Sequence, residues 1–197
     1  MIPLENLENF MRLLHKVQNV KRVARVPDET EYRNTAEHTF EVALLCWYIA
    51  SANELDLDSG KILKYALAHD VIEGYAGDTC AYDADGQETK LKREQDALQQ
   101  IENEFSDFPE LIATIHAYEK REDAESRFVY ALDKFIDPLN CSMETIGALC
   151  KEQGISYSAV RKYKDEKIAK SPHVLPYWEE LLKKVEKRKD TLFAPEL

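Results

Sequence analysis

His38, His69 and Asp133 each sit in a helix-like stretch whose other inward positions are apolar. His38 shares a face with Val42, His69 with Tyr65 and Asp133 with Val129, because residues four apart on a helix are neighbours. Two imidazoles and a carboxylate carried into an apolar interior need partners, since an uncompensated buried charge is costly, and a divalent cation is one efficient partner. Asp70 follows His69 directly, Glu73 lies one turn on, and Asp78 follows Gly77. Taken singly, an inward histidine is more often a packed core residue and a lone inward aspartate a cap or an ion-pair member. The coincidence of three such positions on three helices, beside Glu73 and Asp78, favours a metal site.

The elements that must position these residues are helical. Gly and Pro are sparse (6 and 7 in 197 residues), and apolar residues recur at spacings of three and four, the pattern of an all-α chain. Stripes run through Leu7, Phe10, Leu13, Leu14 and Val17; Phe40, Val42, Leu45 and Ile49; Ile62, Tyr65, Ala66 and Ile72; Leu91, Leu98, Ile101 and Phe105; Leu111, Ile112 and Ile115; and Phe128, Val129, Leu132 and Ile136, with weaker helices near 157–170 and 173–189. Asn34 and Glu37 have capping-box spacing, Ser59 is a candidate cap, Gly74 a helix stop, and Pro138 is expected to kink or divide the helix beginning near Asp123. The stretch from Gly74 to Thr89 reads as a long functional loop. Lys21-Arg22-Val23-Ala24-Arg25 reads as a basic loop before the second helix, and the basic run from Lys183 to Lys189 as a solvated helix face. No repeat or linker interrupts the chain, so residues 1–197 are expected to form one domain.

The charge balance limits the partners. With 26 Lys and Arg against 37 Asp and Glu, the net charge is -11, which argues against nucleic-acid polymers and anionic membranes. No segment is apolar enough to span a bilayer, no secretory leader is visible, and Cys46, Cys80, Cys141 and Cys150 lack C-x-x-C spacing. The expectation is a cytoplasmic protein with reduced thiols. Walker, Rossmann and G-x-S-x-G patterns are absent from the sequence.

His38, the run Tyr65-Ala66-Leu67-Ala68-His69-Asp70-Val71-Ile72-Glu73-Gly74, Gly77-Asp78 and Ala131-Leu132-Asp133-Lys134 together resemble the HD superfamily of metal-dependent phosphohydrolases, whose signature order is H, HD, D. Ala36-Glu37-His38, the Glu and Asp three and eight residues beyond Asp70, and the Lys90 to Glu94 segment resemble most the bacterial 5'-deoxyribonucleotidase (YfbR-like) branch. The resemblance covers about residues 8–137, with C-terminal helices over 139–190. It implies a helical bundle holding one divalent cation on His38, His69, Asp70 and Asp133. Zn, Co, Mn, Ni, Fe and Cu all suit such mixed N/O ligation. Only His116 lies where two-metal relatives carry two further histidines, so one ion is expected.

The resemblance also implies hydrolysis of a nucleoside 5'-monophosphate by water whose pKa the cation lowers toward about 7. Glu73 would orient or deprotonate that water, Asp78 would assist, and Arg22 would bind the phosphate, with Arg25 as competitor. Val23 stands where the related enzymes have Trp, so preference for deoxyribose is open. A homodimer is implied by the resemblance alone. Two alternatives stay open: hydrolysis of another phosphate ester, a phosphodiester or an alarmone nucleotide, and a non-catalytic module that binds metal or nucleotide. Lys134 is expected to pair with a carboxylate, His116 to be a helix-end residue, and Trp47 and Tyr48 to serve packing or a subunit interface.

Overall fold

The computed structural model describes residues 1–144 and 149–196. Its helices are α1 (Leu4–Asn19), α2 (Thr35–Ala52), α3 (Ser59–Ala68), α4 (Glu73–Ala76), α5 (Ala84–Glu104), α6 (Pro109–Lys120), α7 (Ala124–Met143), α8 (Leu149–Glu152), α9 (Tyr157–Ile168), α10 (Leu175–Glu186) and α11 (Lys189–Leu192). A two-stranded antiparallel ribbon, β1 (Lys21–Arg25) with β2 (Tyr32–Asn34), joins α1 to α2. The helical expectation holds.

Two cores flank the site. In one, Val42, Cys46 and Ile49 of α2 meet Ile62, Tyr65 and Ala66 of α3 and Phe128, Val129, Leu132 and Ile136 of α7, continuing into α9 and α10. In the other, Leu13 and Val17 of α1 pack on Val71, Ile72 and Ala76 and on Ala97, Ile101 and Phe105. Residues 69–78, which carry much of the candidate chemistry, run between them. Phe40 and Leu91, read as core positions, are exposed. Both helices are half-covered, and these residues fall just outside the covered faces.

Several local expectations change. The basic segment is not a loop: Lys21 pairs with Asn34 and Arg25 with Tyr32, and along β1 Lys21 and Val23 face solvent while Arg22 and Ala24 face inward. Asp58 rather than Ser59 caps α3, its side chain accepting from Lys61 N–H. Helix α5 begins at Ala84, capped by Asp83, so the expected long loop shrinks to 77–83. Pro138 does not divide α7. The lost N–H costs one hydrogen bond, while Phe135, Ile136 and Cys141 remain buried on either side of it.

Asn34 and Glu37 do form a capping box, with each side chain bonded to the other's backbone N–H. Gly74 does not stop α3, which ends at Ala68. It lies in α4, where a Cβ would come within 3.0 Å of Val17 Cγ2 and 3.1 Å of Leu13 Cδ1. The absent side chain lets α4 approach α1 closely enough to set Glu73. A Gly74→Val substitution is therefore expected to cost about 1–3 kcal/mol through overpacking. Thermal unfolding should register this as a fall in Tm of roughly 3–10 °C, and an unchanged Tm would show that the contact tolerates bulk.

Candidate metal centre

Three elements deliver the donors. His38 emerges just past the capped first turn of α2, and Asp133 lies on the buried face of α7 among Ala131, Leu132 and Phe135. His69 is the C-terminal cap of α3, its N–H bonded to the Tyr65 carbonyl. The His69 ring Nδ1 lies 2.7 Å from the Ala66 carbonyl oxygen. A carbonyl can only accept, so Nδ1 carries the proton and a neutral ring presents the Nε2 lone pair to the site.

The donor atoms converge. Those of His38, His69 and Asp133 lie within 4.8 Å of one another. His38 Nε2 is 3.2 Å from Asp133 Oδ1 and 3.7 Å from Asp70 Oδ2, and His69 Nε2 is 3.1 Å from that same Asp70 oxygen. A cation with bonds of about 2.0–2.3 Å fits a group of that span. His69 Nε2 is buried without a hydrogen-bond partner of good geometry among the described residues, which leaves that imidazole lone pair for a ligand.

Positive charge is drawn to the same place. Arg22 Nη1, delivered by the inward alternation of β1, lies 2.8 Å from Asp70 Oδ2, 3.4 Å from Glu73 Oε2 and 3.9 Å from Asp78 Oδ1. Burial works against ionised Asp70, but His69 and Arg22 hold its carboxyl well below the usual range. Burial likewise opposes a charged His69, yet Asp70 and Asp133 raise it to about 9. A cation would displace that proton. Burial and the neighbouring Asp70 push Glu73 up to about 8, and Thr35 Oγ1 donates to Glu73 Oε2 at 2.7 Å. Asp78 follows Gly77, whose φ of 73° suits glycine. Arg93 then pins this turn through the Ala76 carbonyl and Thr79 Oγ1.

His69, Asp70, Glu73, Asp78, Asp133 and Arg22 line one cavity of about 430 Å³, and His38 stands buried beside it, against Asp70 and Asp133. Arg25 lines the cavity but pairs with Glu152 of α8 at 2.9 Å. His116 pairs with Glu102 at 2.7 Å, and Lys134 pairs with Asp133 at 2.6 Å. Sequence reasoning missed Thr35, which the Asn34 cap places at the start of α2, and Arg33. The latter is buried and joins β2 to Glu41 of α2 and Asp137 of α7. A charged residue between Tyr32 and Asn34 gives no local sign that tertiary contacts will cover it.

Comparison with known proteins places the chain in a family. The HD domain family model matches residues 14–175, and the chain belongs to that family. Among named relatives it is 28% identical to human 5'-deoxynucleotidase HDDC2 over 137 residues, 66% of this chain and 63% of that protein. It is 26% identical to the Dictyostelium discoideum 5'-deoxynucleotidase HDDC2 over 140 residues, 67% of this chain and 74% of that one. The chain thus spans less than two thirds of the human relative's length. A Magnetospirillum magnetotacticum crystal structure, named as a predicted metal-dependent phosphohydrolase, superposes with a TM-score of 0.80 at 27% identity, covering 99% of this chain and 100% of the other. The PH0347 protein of Pyrococcus horikoshii, at 20% identity, TM-score 0.63 and coverage of 92% and 98%, shares the fold.

Divalent cation binding to this centre should stabilise the folded chain. At a hundredfold excess over Kd the gain is about 2.7 kcal/mol, or roughly 5–10 °C in Tm. His69→Ala and Asp133→Asn should each remove that rise in a thermal shift titration; a full rise in both would place the cation elsewhere.

Proposed function

We propose that the chain is a metal-dependent phosphomonoesterase that removes the 5'-phosphate from nucleoside monophosphates. The observation carrying this reading is the convergence of His38, His69, Asp70 and Asp133 at one cavity that also holds Arg22 and a carboxyl poised near neutrality, Glu73. The donor set suits one divalent ion, and neither nitrogen nor oxygen ligation selects among Zn, Co, Mn, Ni, Fe and Cu. When bound, such an ion supplies Lewis-acid polarisation of a phosphoryl oxygen and acidifies water.

The chain's own residues do the rest. Arg22 exchanges its carboxylate contacts for two phosphoryl oxygens and holds the ester against the acidic cluster. Water attacks phosphorus, and the bond to the sugar oxygen breaks. In its ionised form Glu73, fixed by Thr35, accepts the proton of the attacking water and can return it to the leaving oxygen. Lys134 holds Asp133 in place, and Asp78 closes the side of the site beside Arg22.

The finer expectations have physical support as well. Phe40, Leu44, Trp47 and Tyr48 form one stripe on α2, with exposures of 45% to 71%. A homodimer would cover this stripe, a patch that monomers seldom leave to water. No helix among the described residues is long and apolar enough to cross a membrane. The cysteines are free, Cys141 Sγ and Cys150 Sγ standing 3.5 Å apart, which suits a reducing cytoplasm.

Phosphate release measured across ribo- and deoxyribonucleoside 5'-monophosphates should be abolished by chelation and restored by a divalent ion. Turnover confined to diesters or pyrophosphates would refute the monoesterase. Glu73→Gln should lower kcat by about 10²–10⁴ with metal content retained, and loss of the metal in that variant would make Glu73 a ligand. Light scattering should show a dimer that Trp47→Glu converts to a monomer; a wild-type monomer would leave the α2 stripe to another partner.

A further inference from the structure

The cavity has a second wall, of which the hydrolytic reading uses only Lys134, through its contact with Asp133. Lys164 and Lys167 of α9 and Lys134 of α7 line it. Lys164 is 6% exposed, and among the described residues no hydrogen bond or ion pair engages its Nζ, which lies 5.6 Å from the Tyr163 ring centroid. Lys167 Nζ stands 3.0 Å over the same ring. Lys134 Nζ is held between Asp133 Oδ2 at 2.6 Å and the Tyr130 ring at 5.4 Å.

Such an arrangement costs stability as it stands. A buried ammonium that no carboxylate meets within ion-pair distance loses hydration, and the more distant Asp137 offsets that loss only in part. Burial lowers the Lys164 ammonium, Asp137 opposes that shift, and Lys134 adds to it. Burial and the charges of Lys134, Lys164 and Lys90 push Lys167 down to about 8. The opposite wall differs: Arg22 already faces Asp70, Glu73 and Asp78. A nucleoside monophosphate has a single anionic group, which the metal side takes, and its sugar and base are neutral. It would bring no anion to Lys164 and Lys167.

We propose that Lys164, Lys167 and Lys134 form a second anion subsite that receives a phosphoryl group other than the scissile one, so that the site favours nucleotides bearing two phosphoryl groups. For its effect on turnover this rests on the phosphomonoesterase reading; for binding it does not. A phosphoryl group brings a charge of about -1.5 to -2 and three acceptor oxygens, enough to engage more than one ammonium. A carboxylate brings a single charge. Lysine suits the role as a point charge on a flexible stem.

Calorimetric titration of the metal-loaded chain with inorganic phosphate should reveal two bound phosphates per chain in the wild type and one in Lys164→Met, whose apolar replacement keeps the stem's packing. Lys167→Gln, at a less buried position, should weaken the second site and covers the case in which Lys164→Met does not fold. In turnover, kcat/KM is compared for AMP, adenosine 3',5'-bisphosphate and ADP, which separates a distal second phosphoryl group from an adjacent one. The wild type should prefer one of the doubly phosphorylated substrates over AMP, and Lys164→Met should reduce that preference about tenfold to a hundredfold, the worth of a charged hydrogen bond. One phosphate per chain in the wild type, or two in both variants, would overturn the subsite. Equal losses on AMP and on the preferred substrate would overturn it too, since the lysines would then serve the scissile phosphate. If no ester is hydrolysed while Lys164→Met still loses the second phosphate, the hydrolase reading falls and the subsite stands.

Discussion

Carboxylate oxygens withdrawn from water must find positive charge or hydrogen-bond donors, and the centre of this molecule is organised by that requirement. Asp70, Glu73, Asp78, Asp133 and Asp137 all border one cavity. Arg22 answers the first three, Lys134 faces Asp133, and Arg33 reaches Asp137. Even with these cations in place, His69 is raised to about 9, so the group still draws in a proton. A divalent ion satisfies the same demand with more charge, taking the imidazole lone pair that would otherwise hold the proton. The affinity for a metal and the need to keep this acidic interior folded thus have one origin.

That requirement explains why the surrounding elements are built as they are. The ribbon between α1 and α2 puts Arg22 and Arg33 on inward positions, one toward the metal side and one toward α2 and α7. Gly74 allows α4 to close on α1, and the turn at Gly77 then aims Asp78 back at Arg22. Thr35 ties the start of α2 to Glu73. Arg22, Thr35 and Gly74 each meet residues of elements distant in sequence, so the acid cluster is held by the tertiary fold rather than by any one helix.

The same distinction decides what could be read from the residues alone. The buried stripes of α3 and α7, the Asn34 capping box and the inward positions of His38, His69 and Asp133 all follow from three- and four-residue spacing, a local property. β1 did not announce itself, because a short strand with Lys and Arg at both ends carries little apolar alternation. Asp58 took the cap from Ser59 because both side chains can do that work, and the backbone settled which one stands first. Arg33 and Lys164 were invisible for a deeper reason. Their types forecast exposure, and only partners on other elements, such as Glu41 and Asp137 for Arg33, or an anion, can make burial tolerable.

Placement along the chain separates chemistry from recognition. The donors and the acid group lie between positions 38 and 133, whereas Lys164 and Lys167 belong to α9, beyond α7. α9 packs directly on α7, so its lysines reach the cavity from outside the segments that carry the candidate donors, touching only the helix of Asp133. Lys134 lies at the junction, bound to Asp133 on one side and facing the α9 wall on the other. Substitutions on α9 can therefore alter which anion is accepted while His38, His69, Asp70 and Asp133 keep their arrangement. Changes within residues 69–78 disturb the acidic cluster and its contacts with Arg22 directly.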